Sequence, residues 1–272
     1  MARSSALRGV RAGIASAAFA VATGSVSAAT YTLVPVADAS IYDDGTALFE
    51  NTADGAGPHL WTSTIVSGTR RRALLRFDVS AIPPGSTIRS VRLSLFQNRS
   101  RGDHPVTVHR LLASWSEGPA NGGSGGIGAA ASAGDVTWAR RVHPGTPWSA
   151  RGGDFVATPS TSLFVGSIWG FRYEWPSSPA MVADVQGWVN RTLPNHGWIL
   201  IGDEVTPQSA KQFGSREGGA AAAGPQLVIE ADPPVGGGSD AEAPLPAWAL
   251  VLLALGVGAA LRAGRGGAGA AG

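Results

Sequence analysis

Two stretches of this 272-residue chain carry side chains that could do chemistry. In DVTWARRVHPGTPWSARGGD, Trp138 and Trp148 flank Arg140, Arg141 and Arg151 among turn-forming residues. An indole face stacks on the C–H face of a sugar ring, and guanidinium groups pair bidentately with carboxylates or sulfates, so the segment reads as a site for an acidic glycan. Packing of both indoles into a core is the alternative. Nearer the front, ADASIYDDG brings Asp38, Asp43 and Asp44 close in sequence, with Asp54 in the Gly-rich stretch that follows. Clustered carboxylate oxygens suit calcium, so the first three form a candidate metal site, with solvated loop acids as the alternative. No cofactor beyond such a calcium ion is required.

Other matches to chemical patterns carry less. GGSGG (122–126) and GSGGIG (123–128) fit a nucleophile elbow and a dinucleotide loop as strings, yet both lie in a Gly/Ala/Ser tract with no apolar strand leading in. They read as flexible loop. Arg101-Gly102-Asp103 and the Asn-X-Ser/Thr triplets at 98 and 190 are short enough to recur by chance. His59, His104, His109, His143 and His196 show no zinc spacing. No pair of carboxylates stands out for glycoside hydrolysis, and the chain reads as a non-enzyme.

The elements that must position these residues read mostly as strands. Val91, Leu93 and Leu95 alternate with Arg92, Ser94 and Phe96, as a half-buried strand requires, and ALLRFDV precedes them across the turn AIPPGS. YTLVPV, VTVHRLL, WILIG and LVIE are further short runs, separated by Gly, Pro, Asn and Ser. One segment has a different period: Met181, Val185 and Trp188 fall at i, i+4 and i+7 behind Ser178-Pro179, an N-cap and N1 pair, which predicts one short helix packed as a lid. Trp188 and Trp198 fall on core positions. The pattern predicts an all-β, antiparallel jelly-roll β-sandwich with a single helix.

The two ends have a different character. Arg3, Arg8 and Arg11 precede a small apolar run from Gly13 to Val21 and then Val26-Ser27-Ala28, the layout of a secretory signal peptide over residues 1–28. Pro233, Pro234 and GGGSDAEA form a flexible linker over 233–243. Residues 244–265 follow as a hydrophobic helical tail, apolar from Ala247 to Leu261 and closed by Arg262 and Arg265. That run is shorter than the ~20 residues of a comfortable span, and the arginines suit a cytoplasmic stop, so a single-span anchor is one reading of it. Of the 21 Lys and Arg, three fall in the leader and two in the tail, leaving 16 against 19 Asp and Glu, a net of −3. The basic excess therefore belongs to the ends, which excludes nucleic acid as a partner. There is no cysteine, so stability must come from a conventional core over residues 29–232.

Five blocks together carry a resemblance. RALLRFDVSAIPPGSTIRSVRLSLF, VHRLLASWSEG, GDVTWARR, MVADVQGWVNRTLPNHGWILIGDE and SAKQFGSREGGAAAAGPQLVIE, in this order across most of residues 31–231, resemble a DNRLRE domain. The most telling piece is Phe213-Gly214-Ser215-Arg216-Glu217, supported by Trp115–Glu117 and Asn195–Leu200. The resemblance implies a jelly-roll sandwich of the carbohydrate-binding-module type on secreted surface proteins. Arg216 and Glu217 are read as a pair that closes the sandwich, with ligand contact as the alternative. The motif Pro244-Leu245-Pro246-Ala247, with its apolar run and terminal arginines, resembles a PEP-CTERM-type sorting tail, though Leu245 stands where that tail's glutamate would be. This implies membrane insertion at least transiently, an exosortase-type processing partner, and a final place at the cell surface or in the extracellular matrix. The expected ligand is an extracellular polysaccharide, an acidic one if the arginines bind it. A structural surface protein without a discrete ligand, and a matrix-degrading enzyme, are the two other readings.

Overall fold

A computed structural model describes residues 27–218 and 224–234. The leader's first 26 residues, the sorting motif and the tail lie outside the described residues. Within them the chain is all-β, with every strand pairing antiparallel. The first half supplies β1 (Ala29–Leu33), β2 (Pro35–Asp43), β3 (Thr52–Asp54), β4 (His59–Thr64), β5 (Arg70–Phe77), β6 (Thr87–Ser100) and β7 (His104–Arg110). Short strands β8 (Ala129–Ala130), β9 (Arg140–Val142) and β10 (Thr146–Pro147) follow, then β11 (Thr161–Val165) and β12 (Arg172–Trp175). Helix α1 (Pro179–Val189) separates these from β13 (Trp198–Ile201), β14 (Lys211–Gly214) and β15 (Gln226–Asp232).

Thirteen strands form one sheet, nine of them along the path β1-β15-β6-β14-β4-β5-β13-β7-β11, with β12 beside β6 and β2, β3 and β8 branching from β5, while β9 and β10 pair separately. Two strands organise it. β6 takes β15 along its first half, β12 at Leu93–Phe96 and β14 from Gln97 to Ser100. β5 is flanked by β2 and β13, setting Leu75 opposite both Asp38 and Trp198. Val91, Leu93 and Leu95 of β6 share one apolar cluster with Leu75 and Phe77 of β5, Val106 and Val108 of β7, and Leu227 and Ile229 of β15. The two ends of the path therefore close over a common core, and the alternation read from β6 is the alternation seen.

The β5 half departs from the expected single buried face. Leu75 points into the first cluster, but its neighbour Leu74 joins a second, with Ala39 and Ile41 of β2, Ile199 of β13, and Leu111, Trp115, Val136, Trp138 and Trp148. This part of the sheet is covered on both faces, the outer one by the long connection between β7 and β11. Double coverage explains why Ala73, Leu74 and Leu75 run together without a polar break.

Helix α1 forms as its sequence predicts. Ser178 Oγ accepts from Met181 N at 3.0 Å, Pro179 follows the cap, and Met181, Val185 and Trp188 are buried. Gln186 joins it to β6 in both directions: its Nε2 donates to Ser86 O (2.8 Å), and its Oε1 accepts from Ile88 N (3.0 Å).

The Gly-rich tract, expected to be a flexible loop, packs closely instead. A Cβ at Gly126 would fall 2.5 Å from the Trp61 ring, and one at Gly128 would fall 2.4 Å from Thr52. Both residues have positive φ, so glycine is required there for close approach as well as for conformation.

Candidate functional site

The Trp/Arg segment does not present a sugar platform. Trp138 and Trp148 are only 3% and 5% exposed, packed in the second cluster, with Trp148 Nε1 donating to Thr137 O at 2.9 Å. Neither ring has a face open to solvent, because the segment covers the outer face of β5 and β2 instead of standing off it. Arg72 lies over the Trp138 ring at 4.4 Å and Arg70 at 5.2 Å, so cations from β5 occupy the place expected for a ligand. Arg141 Nη1 donates to Ser114 O and Oγ at 3.0 and 2.9 Å. Arg140 is half-buried on β9. Arg151 pairs with Glu50 at the rim of an open cleft lined by Asp43, Arg70, Arg72 and Trp138. The cleft's arginines are answered internally: Arg70 pairs with Asp43, and Arg72 Nε and Nη2 donate to Glu204 at 2.7 and 2.8 Å.

The three aspartates expected to form one metal site are separated. Asp43 is held by Arg70. Asp44 closes its own turn, accepting from Thr46 N at 2.8 Å and Thr46 Oγ1 at 2.6 Å. Asp54 accepts from Gly122 N at 2.8 Å and Tyr42 Oη at 3.1 Å. Successive residues of β2 alternate in direction, so Asp38 and Asp43, five apart, face opposite ways.

Asp38 meets two glutamates from elsewhere in the chain. One oxygen each of Asp38, Glu117 and Glu217 lies within 4.8 Å of the others. The arrangement is built from the motif after β14. Phe213 anchors it in the core, edge-on to Trp175 at 5.9 Å. Ser215 Oγ donates to Gly57 O at 2.7 Å and accepts from Glu217 N at 3.2 Å. Arg216 N donates to Asp38 Oδ2 at 2.7 Å, and Asp38 N to Glu117 Oε1 at 2.7 Å. The Arg216 guanidinium then bridges Glu117 at 2.8 Å and Glu217 at 2.6 Å. The expected Arg216–Glu217 pair is present, but it reaches a third partner 99 residues away. Burial pushes the Asp38 carboxyl up to about 8; the hydrogen bond from Arg216 opposes this, and the charges of Glu217 and Glu117 add to it.

Exposed aromatic rings occur where the sequence reading did not look. Between β11 and β12, Ile168, Trp169 and Phe171 are 70%, 64% and 42% exposed, and Phe171 stacks on Tyr173 at 4.6 Å. The loop is tied down: Gly170 N donates to Gln97 O (2.8 Å), Gln97 N to Phe171 O (3.0 Å) and Tyr173 Oη to Ile168 O (2.9 Å). The available signal was GSIWGF itself, Ile168 and Trp169 enclosed by Gly166 and Gly170 with Phe171 directly after, between two strand-like runs.

No protein-family model matches the chain, and no curated protein is similar to it.

Proposed function

We propose that this chain is an exported bacterial cell-surface or matrix protein whose jelly-roll sandwich, of the DNRLRE kind, binds polysaccharide without cleaving it. The observation that carries the reading is the loop at 166–171. Trp169 and Phe171 are exposed on a backbone fixed by hydrogen bonds to β6, so binding loses little conformational freedom. Such rings stack on sugar C–H faces. Export is supported by the arginine-led apolar leader, and strand β1 begins at Ala29, where the expected cut falls. Surface sorting through an exosortase-type enzyme is supported by Pro244-Leu245-Pro246-Ala247 and the apolar run behind it.

The test is affinity electrophoresis of the purified protein in gels containing neutral, acidic or sulfated polysaccharide, beside the double variant Trp169→Ala/Phe171→Ala. Retardation by one glycan class, weakened about tenfold or more in the double variant, is the expected result. Equal retardation of both proteins would remove this loop as the site. Absence of retardation in every gel would leave a structural surface protein as the better account.

A further inference from the structure

We propose that Asp38, Glu117 and Glu217 bind a calcium ion that ties β2, the connection after β7 and the turn after β14 into one unit. The inference stands apart from the glycan reading. Three observations carry it.

The first is geometric. Oxygens that share a calcium ion at about 2.4 Å lie no more than about 4.8 Å apart, and one oxygen from each of the three carboxyls meets that limit. The second is the state of the individual atoms. Asp38 is 1% exposed, its Oδ2 accepts from Arg216 N, and its Oδ1 is buried with no hydrogen-bond partner; Glu217 Oε2 is buried in the same condition. A buried carboxylate oxygen without a donor is costly, and these two belong to neighbouring groups that one shared proton, or one cation, would answer together. The third is charge. Three carboxyl groups gather around one cation, the Arg216 guanidinium, so a divalent ion that displaces the Asp38 proton meets two net negative charges.

The donor set decides the class of ion. All three side chains are hard oxygen donors, with no histidine or cysteine among them, which favours calcium or magnesium over zinc. Magnesium demands a tight octahedron at about 2.1 Å, whereas calcium accepts irregular sets with longer bonds, as three carboxyls from three unrelated segments would supply. Entry is open, since the Glu117 and Glu217 side chains keep 20% and 24% of their surface exposed. Arg216 would remain on Glu117 Oε2 and Glu217 Oε1, leaving Glu217 Oε2 and Asp38 Oδ1 to face the ion.

The experiment uses the full chain in detergent, stripped with EGTA and titrated with calcium chloride by calorimetry and thermal melting, beside Glu217→Gln. The expected result is one ion per chain, a melting midpoint raised by about 4 °C or more at saturation, and at least a tenfold loss of calcium affinity in the variant. Should Glu217→Gln fail to fold, Glu117→Gln replaces it, and the wild-type titration is decisive alone. Neither heat nor a shifted midpoint up to about 10 mM calcium, beyond the ~1 mM weak end of extracellular sites, would overturn the proposal. Unchanged affinity in the folded variant would place the ion elsewhere and overturn it equally. Binding of magnesium but not calcium would overturn the choice of metal.

Discussion

Asp184 Oδ2 and Trp198 Nε1 lie 2.9 Å apart, a helix carboxylate accepting from the indole of a core strand. The same oxygen accepts from Ser160 Oγ at 2.6 Å, and Oδ1 faces Arg110 Nε at 2.9 Å. One side chain on α1 therefore joins β13, β7 and the residue before β11. Asp184→Ala would leave Arg110 unpaired and two buried donors unanswered, and is expected to destabilise the protein by about 3–5 kcal/mol. Urea denaturation of the variant beside Asp44→Ala, a change at an exposed turn, measures this. A loss under about 1 kcal/mol would show that the junction relaxes without its carboxylate.

Lys211, the chain's sole lysine, has no exposed surface. Its Nζ donates to Ser100 Oγ at 2.9 Å, Arg101 O at 3.1 Å and Gly102 O at 2.5 Å, matching all three ammonium protons to the turn after β6. An amine-directed acylating reagent should therefore leave Lys211 unmodified in the folded chain and label it once urea unfolds the protein. Peptide mass spectrometry reads both states, and rapid labelling without urea would contradict the burial. Lys211→Met should cost about 1–3 kcal/mol, since it leaves buried acceptors without a donor.

Acid stability should depend on Asp203. Burial would raise its carboxyl, but hydrogen bonds from Thr206 and Val205 N–H, the Thr206 hydroxyl and the His104 ring outweigh that and hold it at about 2. The folded pKa lies below the unfolded value of 3.8, so the unfolded chain takes up the proton first as pH falls. The stability Asp203 contributes is thus complete above about pH 4 and lost progressively toward pH 2. Melting midpoints from pH 5 to pH 2 should fall less steeply in Asp203→Asn than in the parent, and parallel slopes would refute the assignment.

Local signals in the sequence determined the elements that local physics governs. Ser178-Pro179 and the spacing of Met181, Val185 and Trp188 specify α1, and the alternation of Val91, Leu93 and Leu95 specifies β6, because capping and side-chain period act within a few residues. The core placement of Trp188 and Trp198, whose rings meet at 4.5 Å, was legible for the same reason. The site was less legible. Trp138 and Trp148 have the composition of a platform, and only the packing of the β7–β11 connection onto Leu74 and Ile199 turned them inward. Asp38 was visible as an acid, but its partners stand 79 and 179 residues away, at distances along the chain where no spacing rule operates. Composition and order set the strands, the helix and the character of the two ends. Which carboxylates meet, and which rings face water, was decided by the tertiary structure, because both depend on which surfaces the folded sheet brings together and buries.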